Sequence, residues 1–520
     1  MILTPLAQIG PDWLITWLTP LWILGLGALL GLALLLVAWV IVAIVARQWA
    51  AEIPVMIAEG PLLPISVVIL IFALFGILGG VFVHQPTEVI KSLPRFMSTG
   101  LQAPAFEVPV AADDNDFTKV SLNYPIRSSE LSNFKIVTDQ PIILRRVDTD
   151  GQALSSDVDV SPGDDFEWLR GKESISPVGD GTISELEISN DGGTTAKVEL
   201  TVETKPVYPQ SITILHTAIC VLCVYILYFL QQALFPKMSA ISWSTCKSEM
   251  AQPLFLIILG LGSFLLFIFV FIPYNTFGED IKMLKDSGFT AIMVLAIIHA
   301  IWAASNSVAE EIDGKTALTV LSKPVGRRQF VFGKFIGISW SVAVLFIVLG
   351  TFFVILVSYK PVYDARESSK LAPIWEESYV EVMRTVPGLV LAFMETVVLT
   401  SVSVAISTRL PLLANFAICF AVYTLGHLTP LLVQSAVGML PPVAFMGIFI
   451  SAVLPVLEAF NIQAAVAGGR EVPYVYMAWA LVYCCLYSLV AMLLALILFC
   501  LLYTSPSPRD LSTSRMPSSA

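Results

Sequence analysis

The chain has 520 residues, of which 56% are hydrophobic and 13% are charged, and its formal net charge is −11 at pH 7. A soluble globular protein carries roughly 25% charged residues. The composition therefore excludes an ordinary soluble enzyme and indicates a polytopic membrane protein. The seven cysteines lie in or beside apolar runs, which argues against a disulfide framework.

Nine apolar runs are long enough to cross a bilayer, because a hydrocarbon core of about 30 Å needs roughly 20 helical residues. The predicted spans are 21–46, 65–83, 211–235, 254–273, 289–308, 333–357, 388–408, 411–432 and 475–499. The first run is longer than a signal-peptide core and no basic residue precedes it, so we interpret it as a retained span. Prolines interrupt 440–457, which favours a re-entrant segment over a tenth crossing, although a ten-span arrangement stays open.

A polar region separates the second span from the third. Residues 85–210 carry 21 acidic and 11 basic residues, and therefore hold nearly all of the net charge. Alternating segments such as 131-LSNFKIVTD-139 and 196-AKVELTVET-204, bounded by turn-forming clusters, predict antiparallel strands. We therefore predict an inserted all-β, immunoglobulin-like sandwich domain. Its acidic run 113-DDND-116 is interpreted as a solvated turn, and no metal site is predicted.

Basic residues of the short loops indicate the orientation of the chain. The loop 309–334 contains five of them, and a topology with this loop inside also places Arg47, Lys237, Lys247 and Arg409 inside. Residues 85–210 then lie outside. We predict a multi-pass protein of the inner (cytoplasmic) membrane with an extracytoplasmic β domain.

The loop 309–334 contains Gly314-Lys315-Thr316, which is how a phosphate-binding P-loop ends. The full motif requires a glycine five positions before Gly314 and a strand before the loop. Ala309 occupies that position, and an apolar span precedes the loop. We therefore predict that the chain has no ATPase site and no cofactor of its own.

The same loop has acidic residues first and basic residues later. Glu310, Glu311 and Asp313 are predicted to begin a short helix, where negative charge complements the helix dipole. Leu321 belongs to an apolar face of that helix, and Pro324 ends it. On the residues alone, a solvated connector and a protein-docking element remain equal alternatives.

Several stretches resemble the ABC-2 type transporter permeases, over about residues 240–499. The stretches are 310-EEIDGKT-316, 321-LSKPV-325 with Arg327 and 333-GKFIG-337, 243-WSTCKSEMAQPLFL-256, 407-STRL-410 and 454-LPVLEAFN-461. The first group resembles the first cytoplasmic loop of that family and is the most specific. The others resemble its amphipathic helix before the first core span, its turn between the fourth and fifth core spans, and its re-entrant region. In the last stretch Val456 stands where the family more often has Asn.

The resemblance implies a six-span permease core at 240–499, one half of a dimeric unit whose second half is identical or different. A separate ABC ATPase subunit would bind ATP and Mg²⁺, and the 310–325 helix would couple its closure to the spans. The residues assigned to this coupling loop are Glu310, Glu311, Asp313, Lys315, Thr316, Leu321, Lys323, Pro324, Arg327 and Arg328. The other expected partners are the lipid bilayer and an envelope protein bound by residues 85–210, with no nucleic acid.

Three ionisable residues inside predicted spans are further candidates. Glu395 is an acid well inside a span, where an ionised carboxylate costs roughly 2.5–3.5 kcal/mol, so it should face protein or water. His299 and His427 either line a pathway or are neutral and hydrogen-bonded between helices. For Glu395, a role in a pathway or a helix contact and a structural hydrogen bond remain alternatives.

The last residues differ from the rest of the chain. From Cys500 onward a Ser/Pro/Arg-rich string interrupts the final apolar run. It resembles the translation of a transposase-type sequencing adapter, so 500–520 is excluded from fold prediction. The remaining predicted domains are 1–84 with two spans, 85–210, 211–239 with the third span and a linker, and 240–499.

The leading hypothesis is a non-catalytic permease subunit of an ATP-driven transporter. The alternative is a membrane-anchored scaffold or sensor whose β domain binds an envelope partner. A secondary transporter is a weaker third, because no matching pair of Gly/Pro-broken spans is evident in two halves of the chain.

Overall fold

A computed structural model describes the chain apart from residues 1–10, 84, 112–116, 146–156, 164, 171–178, 180, 273–278, 314–324, 372, 437–444, 446–448, 450–452, 463–464, 467 and 505–520. The chain forms two compact units. The smaller unit is Gln85–Leu215. The larger unit combines Met1–His84 with His216–Ala520.

Most of the described chain is helical. The helices are α1 (Asp12–Val45), α2 (Arg47–Glu59), α3 (Leu62–Leu78), α4 (Pro86–Ser92), α5 (Ile212–Leu234), α6 (Pro236–Met250), α7 (Pro253–Phe271), α8 (Asp280–Ala304), α9 (Arg327–Glu367), α10 (Trp375–Ser407), α11 (Leu412–Ala436) and α12 (Tyr474–Thr504). A π-helical turn, Ser305–Ala309, and a last turn, Glu310–Asp313, continue α8 without a break.

Eight helical segments of the described residues are long and apolar enough to cross a membrane. They are Asp12–Val45, Leu62–Phe82, Pro209–Leu234, Pro253–Phe271, Asp280–Ile312, Arg327–Glu367, Trp375–Ser407 and Tyr474–Leu501. These confirm a polytopic membrane protein. The eighth predicted span, 411–432, is not among them: it forms α11, whose apolar stretch Leu412–Leu428 is shorter. Most of the predicted re-entrant run 440–457 lies outside the described residues.

Several helices extend well past the predicted spans. The 41 residues of α9 measure about 62 Å at 1.5 Å per residue, twice the hydrocarbon thickness. The predicted spans 289–308 and 333–357 leave out Lys285 and Lys360, but the helices α8 and α9 include them. Lys360 lies in α9 and pairs with Asp364 at 2.8 Å, and Lys285 of α8 pairs with Glu381 of α10. Because such pairs compensate the charges, the helices continue where an apolar window ends.

The two N-terminal spans pack on the rest of the larger unit. At the crossing of α1 and α3, a Cβ on Gly25 would lie 2.6 Å from the carbonyl oxygen of Phe72, so only glycine permits this approach. The helix α1 also contacts α9, because Ser358 Oγ donates to the carbonyl oxygen of Trp17 at 2.7 Å. These helices therefore share a packed core with the later spans.

The amphipathic helix α6 lies against the start of α9. A Cβ on Gly337 would lie 2.5 Å from the carbonyl oxygen of Ser242, so the two backbones approach closely. This packing brings the polar end of α6 beside the first turns of α9.

The smaller unit contains two antiparallel sheets. The strands are β1 (Leu101–Gln102), β2 (Ala105–Val108), β3 (Thr118–Arg127), β4 (Leu131–Thr138), β5 (Ile142–Arg145), β6 (Val158–Val160), β7 (Phe166–Leu169), β8 (Thr182–Asn190) and β9 (Ala196–Thr204). One sheet has the order β1-β9-β4-β7, with β2 also on β9, and the other has the order β3-β8-β5-β6. The two predicted strand segments form the paired strands β4 and β9. Apolar side chains of both sheets, such as Phe134 and Leu186, form one core.

Candidate functional site

The predicted coupling residues lie at one end of α8 and α9, which we call the loop end because residues 314–326 join the two helices there. Glu310 and Glu311 lie in the last described turn that continues α8, and Arg327 and Arg328 begin α9. The remaining assigned residues, Lys315, Thr316, Leu321, Lys323 and Pro324, and the side chain of Asp313 lie outside the described residues.

The prediction that the acidic residues begin a separate short helix is wrong. The π-helical turn Ser305–Ala309 carries the helix onward, so Glu310 and Glu311 extend α8 past the apolar span. Acidic side chains near the end of a helix oppose its dipole. Compensating partners are therefore required, and neighbouring helices provide them.

An ion pair joins the two sides of the loop. Lys334 Nζ, on the second turn of α9, donates to Glu311 Oε1 at 2.6 Å. The lysine side chain is only 8% exposed, so this pair is shielded from solvent far more than a typical surface pair. The pair therefore holds the extended end of α8 close to the start of α9, the two helices that the loop joins.

Glu249, near the end of α6, is a buried acid beside the same pair. Burial raises the pKa of Glu249 to about 8; Lys334 opposes this effect, whereas the charges of Glu311 and Glu310 reinforce it. Among the described residues, its Oε2 atom has no hydrogen-bond partner. Three acidic residues thus surround one lysine at the loop end, and the structure favours the protonated form of the most buried one.

A chain of amides supports Glu310. Trp302 Nε1, on α8, donates to Gln252 Oε1 at 2.9 Å. In the orientation that satisfies both of its neighbours, the Asn306 amide donates to the Glu310 carboxylate at 2.7 and 3.0 Å and accepts from Gln252 Nε2 at 2.5 Å. These contacts connect the segment between α6 and α7 to the last turns of the extended α8.

The π-helical turn is anchored to two further helices through one asparagine. Asn415, at the start of α11, is fully buried, and its Nδ2 lies 2.9 Å from Ser305 Oγ. The same nitrogen lies 2.8 Å from the hydroxyl oxygens of Ser403 and Ser407 on α10. Because π-helical turns are uncommon and often lie at functional sites, this anchored turn makes the end of α8 a candidate functional element.

Two of the predicted intramembrane residues are in direct contact. His427 Nε2 on α11 lies 2.8 Å from Glu395 Oε1 on α10. On the other side of the ring, His427 Nδ1 lies 3.2 Å from Glu458 Oε2. Glu395 is fully buried and Glu458 is 46% exposed. The three side chains, here called the Glu–His–Glu triad, therefore connect the interior of the helical unit to its surface.

His299, the third predicted intramembrane residue, lies apart from the triad. Its Nε2 atom lies 2.9 Å from Ser341 Oγ of α9, and its ring packs edge-on against Phe255 of α7, with centroids 5.2 Å apart. This placement matches a histidine hydrogen-bonded between helices. Among the described contacts of the His299 ring, none is with a second ionisable group.

A cavity of about 1000 Å³ lies at the opposite end of α8, α9 and α10. Its wall includes two basic residues, Lys370 and Arg384. The acidic residues lining it are Asp280, Asp364, Glu367, Glu376, Glu377 and Glu381. The wall therefore has an excess of negative charge.

Sequence reasoning missed Glu249, Asn415 and Glu458. Glu249 and Glu458 lie within the stretches 243–256 and 454–461 that carried the family resemblance, but no charge pattern singled them out. Asn415 follows Pro411 at the start of an apolar run. For Asn415, the available signal was an amide side chain near the start of an apolar span, because polar residues in membrane helices usually hydrogen-bond to neighbouring helices.

Residues 203–500 match the family described as ABC-2 family transporter protein, which is more than half of the 520 residues. The match begins earlier than the expected residue 240, and so it includes α5. The chain has no significant match among curated proteins.

Proposed function

Since the chain belongs to the ABC-2 transporter family, we propose that it is the permease subunit of an ATP-driven transporter of the cytoplasmic membrane. A separate ABC ATPase subunit binds ATP and Mg²⁺ and docks at the loop end. A second permease half, identical or different, completes the transmembrane unit. This chain moves the substrate and performs no catalysis itself.

The observation that carries this proposal is that side-chain contacts hold together the helix ends between which the loop lies. The Glu311–Lys334 ion pair joins the extended end of α8 to α9, and the Asn306 amide joins the same end of α8 to the segment between α6 and α7. A docking element must be anchored to the helices that it moves, since otherwise the motion of a partner is absorbed by the loop. The loop end satisfies this requirement.

Asn415 supports a route for the movement. Displacement of the loop shifts the extended end of α8, and Ser305 of its π-helical turn is hydrogen-bonded to Asn415. Asn415 in turn contacts α10 through Ser403 and Ser407. A rigid shift at the loop end is thereby passed to α10 and α11, because buried hydrogen-bonded contacts move together.

In this arrangement the loop end faces the cytoplasm and the smaller unit, Gln85–Leu215, lies outside the membrane. The basic residues near the loop, which include Arg327, Arg328 and Lys334, support the orientation. The two-sheet core of the smaller unit supports an immunoglobulin-like assignment.

A charge reversal at the loop base tests the proposal. Glu311→Lys places two lysines where a shielded ion pair existed, and juxtaposed like charges cost several kcal/mol. The full chain is purified in mild detergent from the membranes of its own cells, and the co-purifying ABC ATPase is quantified by mass spectrometry. We expect the recovered ATPase to fall at least about tenfold, equivalent to 1.4 kcal/mol, with normal membrane insertion.

Two variants control this experiment. Glu279→Lys disrupts the exposed pair with Lys282 at the opposite end of α8 and should leave ATPase recovery unchanged. The double variant Glu311→Lys with Lys334→Glu restores an ion pair in the reverse order and should recover most of the ATPase. Unchanged recovery with Glu311→Lys, or absence of any ABC ATPase from the wild-type preparation, would overturn the proposal.

A second candidate function is a membrane-anchored scaffold or sensor. The observation in its favour is that most of the smaller unit, Gln85–Leu215, precedes the family match at residue 203. An envelope protein would then bind this unit. The same purification distinguishes the two functions, because recovery of an envelope protein without an ABC ATPase favours the scaffold.

A further inference from the structure

The Glu–His–Glu triad has an unusual arrangement, in which both nitrogens of one imidazole face carboxylates. His427 Nε2 lies 2.8 Å from Glu395 Oε1, and His427 Nδ1 lies 3.2 Å from Glu458 Oε2. Both distances are within or close to the usual range of hydrogen bonds. The ring therefore bridges a fully buried carboxyl group and a half-exposed one.

The number of protons in the triad follows from this geometry. A neutral imidazole has one N–H and one bare nitrogen, and an ionised carboxylate only accepts hydrogen bonds. With a neutral ring and two ionised carboxylates, one contact would place a nitrogen lone pair against a carboxylate oxygen. Both contacts are hydrogen bonds only when the triad holds one additional proton, on the ring or on a carboxyl group.

No other cation pairs with these carboxylates among the residues that the structure describes. Within the described part of the chain, neither Glu395 nor Glu458 forms an ion pair with a lysine or arginine. The other titratable groups described beside the triad are tyrosines. Tyr423 of α11 packs against the His427 ring, with ring centroids 4.7 Å apart. Tyr476 and Tyr483 of α12 hydrogen-bond to the backbone on either side of Glu458. An unpaired carboxylate in the interior is costly, so the additional proton compensates Glu395.

The triad also connects the helices to a short turn. Leu457 and Phe460 of this turn are buried, and a Cβ on Gly426 of α11 would lie 2.8 Å from Leu457 Cγ. The N–H of Val456 donates to the Tyr483 hydroxyl at 2.9 Å. Glu458 links this 456–460 turn to α11 through its contact with His427. If the turn moves away from α11, this triad hydrogen bond is broken.

We propose that Glu395, His427 and Glu458 form a binding site for one proton, and that this proton holds the 456–460 turn against α10 and α11. The proton comes from solvent at the half-exposed Glu458, and its binding changes the net charge of the three side chains from about −2 to about −1. The docked turn binds the proton more tightly than the undocked turn. Falling pH therefore favours docking, and rising pH favours release.

Hydrogen–deuterium exchange of the full chain in lipid nanodiscs, without an ATPase, tests this site. Exchange of the peptide containing 456–460 is followed from about pH 5 to about pH 9, a range that includes the histidine titration, after correction for intrinsic exchange rates. In the wild type we expect exchange to accelerate as pH rises, by at most about tenfold per pH unit, the limit for release of one proton.

Three variants complete the test. His427→Gln and Glu458→Gln remove a titratable member of the triad, and both should flatten the pH dependence of this peptide. His299→Gln, at the other buried histidine, should retain it. A wild-type peptide whose corrected exchange does not depend on pH, or an unchanged dependence in Glu458→Gln, would contradict the proposal. Neither outcome concerns ATPase docking, so this inference and the proposed function fail separately.

Discussion

Two buried polar clusters of the helical unit differ in the group that compensates their acidic residues. At the loop end, Lys334 lies among Glu249, Glu310 and Glu311. In the triad, His427 lies between Glu395 and Glu458. Lysine side chains in general titrate far above neutral pH, whereas histidine side chains titrate near it.

The difference distinguishes a permanent connection from a reversible one. A contact with lysine is in general insensitive to pH near neutrality, which fits the docking role proposed for the loop end. A contact that depends on a bound proton can be made and broken without unfolding a helix. Both clusters thus contain more acidic than basic groups. They differ in whether a change in protonation can release the contact.

The largest expected effect comes from removing the charge at the loop end. Lys334→Met keeps much of the side-chain volume but leaves Glu311 and Glu249 without their buried cation. Loss of one partner of a buried pair costs about 3–5 kcal/mol, which we expect to appear as reduced thermal stability of the protein in nanodiscs. Lys282→Met, at the exposed pair with Glu279, should cost at most about 1 kcal/mol. Equal effects of the two variants would show that the loop-end pair has no structural role.

An intermediate effect is expected at the asparagine that connects the π-helical turn to α10 and α11. Asn415→Ala removes the shared partner of Ser305, Ser403 and Ser407, and buried hydroxyls left without partners cost about 1–3 kcal/mol. Thermal stability should fall accordingly. The matched control is Thr424→Ala on the same helix, where an exposed hydroxyl donates to the carbonyl oxygen of Phe420. A loss no greater than that of Thr424→Ala would exclude the asparagine as a connection.

The third expected effect is on the slope of stability against pH, not on stability at a single pH. The pKa of Glu249 is raised in the folded protein from 4.5 to about 8, so the folded state binds more protons than the unfolded state between these values. Stability therefore falls as pH rises through this window, by at most about 1.4 kcal/mol per pH unit. Glu249→Gln lacks this titration, and should lose less stability than the wild type in thermal unfolding from about pH 5 to about pH 8. Parallel curves for the two proteins would contradict the assignment.

Sequence reasoning predicted the class of fold and the position of the loop. Apolar runs are local signals, and the eight confirmed spans follow from them. The ends of the helices were not predictable in the same way: Lys360 and Asp364 belong to α9 because each compensates the other. The acidic residues Glu310 and Glu311 were predicted to be part of a coupling loop. Their position at the end of a continued α8 depends on the π-helical turn, for which the sequence has no reliable signal.

The sequence by itself determined a membrane protein with a polar β-rich insertion, because hydropathy and alternation are properties of neighbouring residues. It also singled out Glu395 and His427 as charges in apolar surroundings. Only the tertiary structure decided that these two side chains touch, that Glu458 completes the triad, and that Lys334 pairs with Glu311 across the loop. These contacts join residues 23 to 32 positions apart, and the packing of helices decides which side chains meet at such distances along the chain.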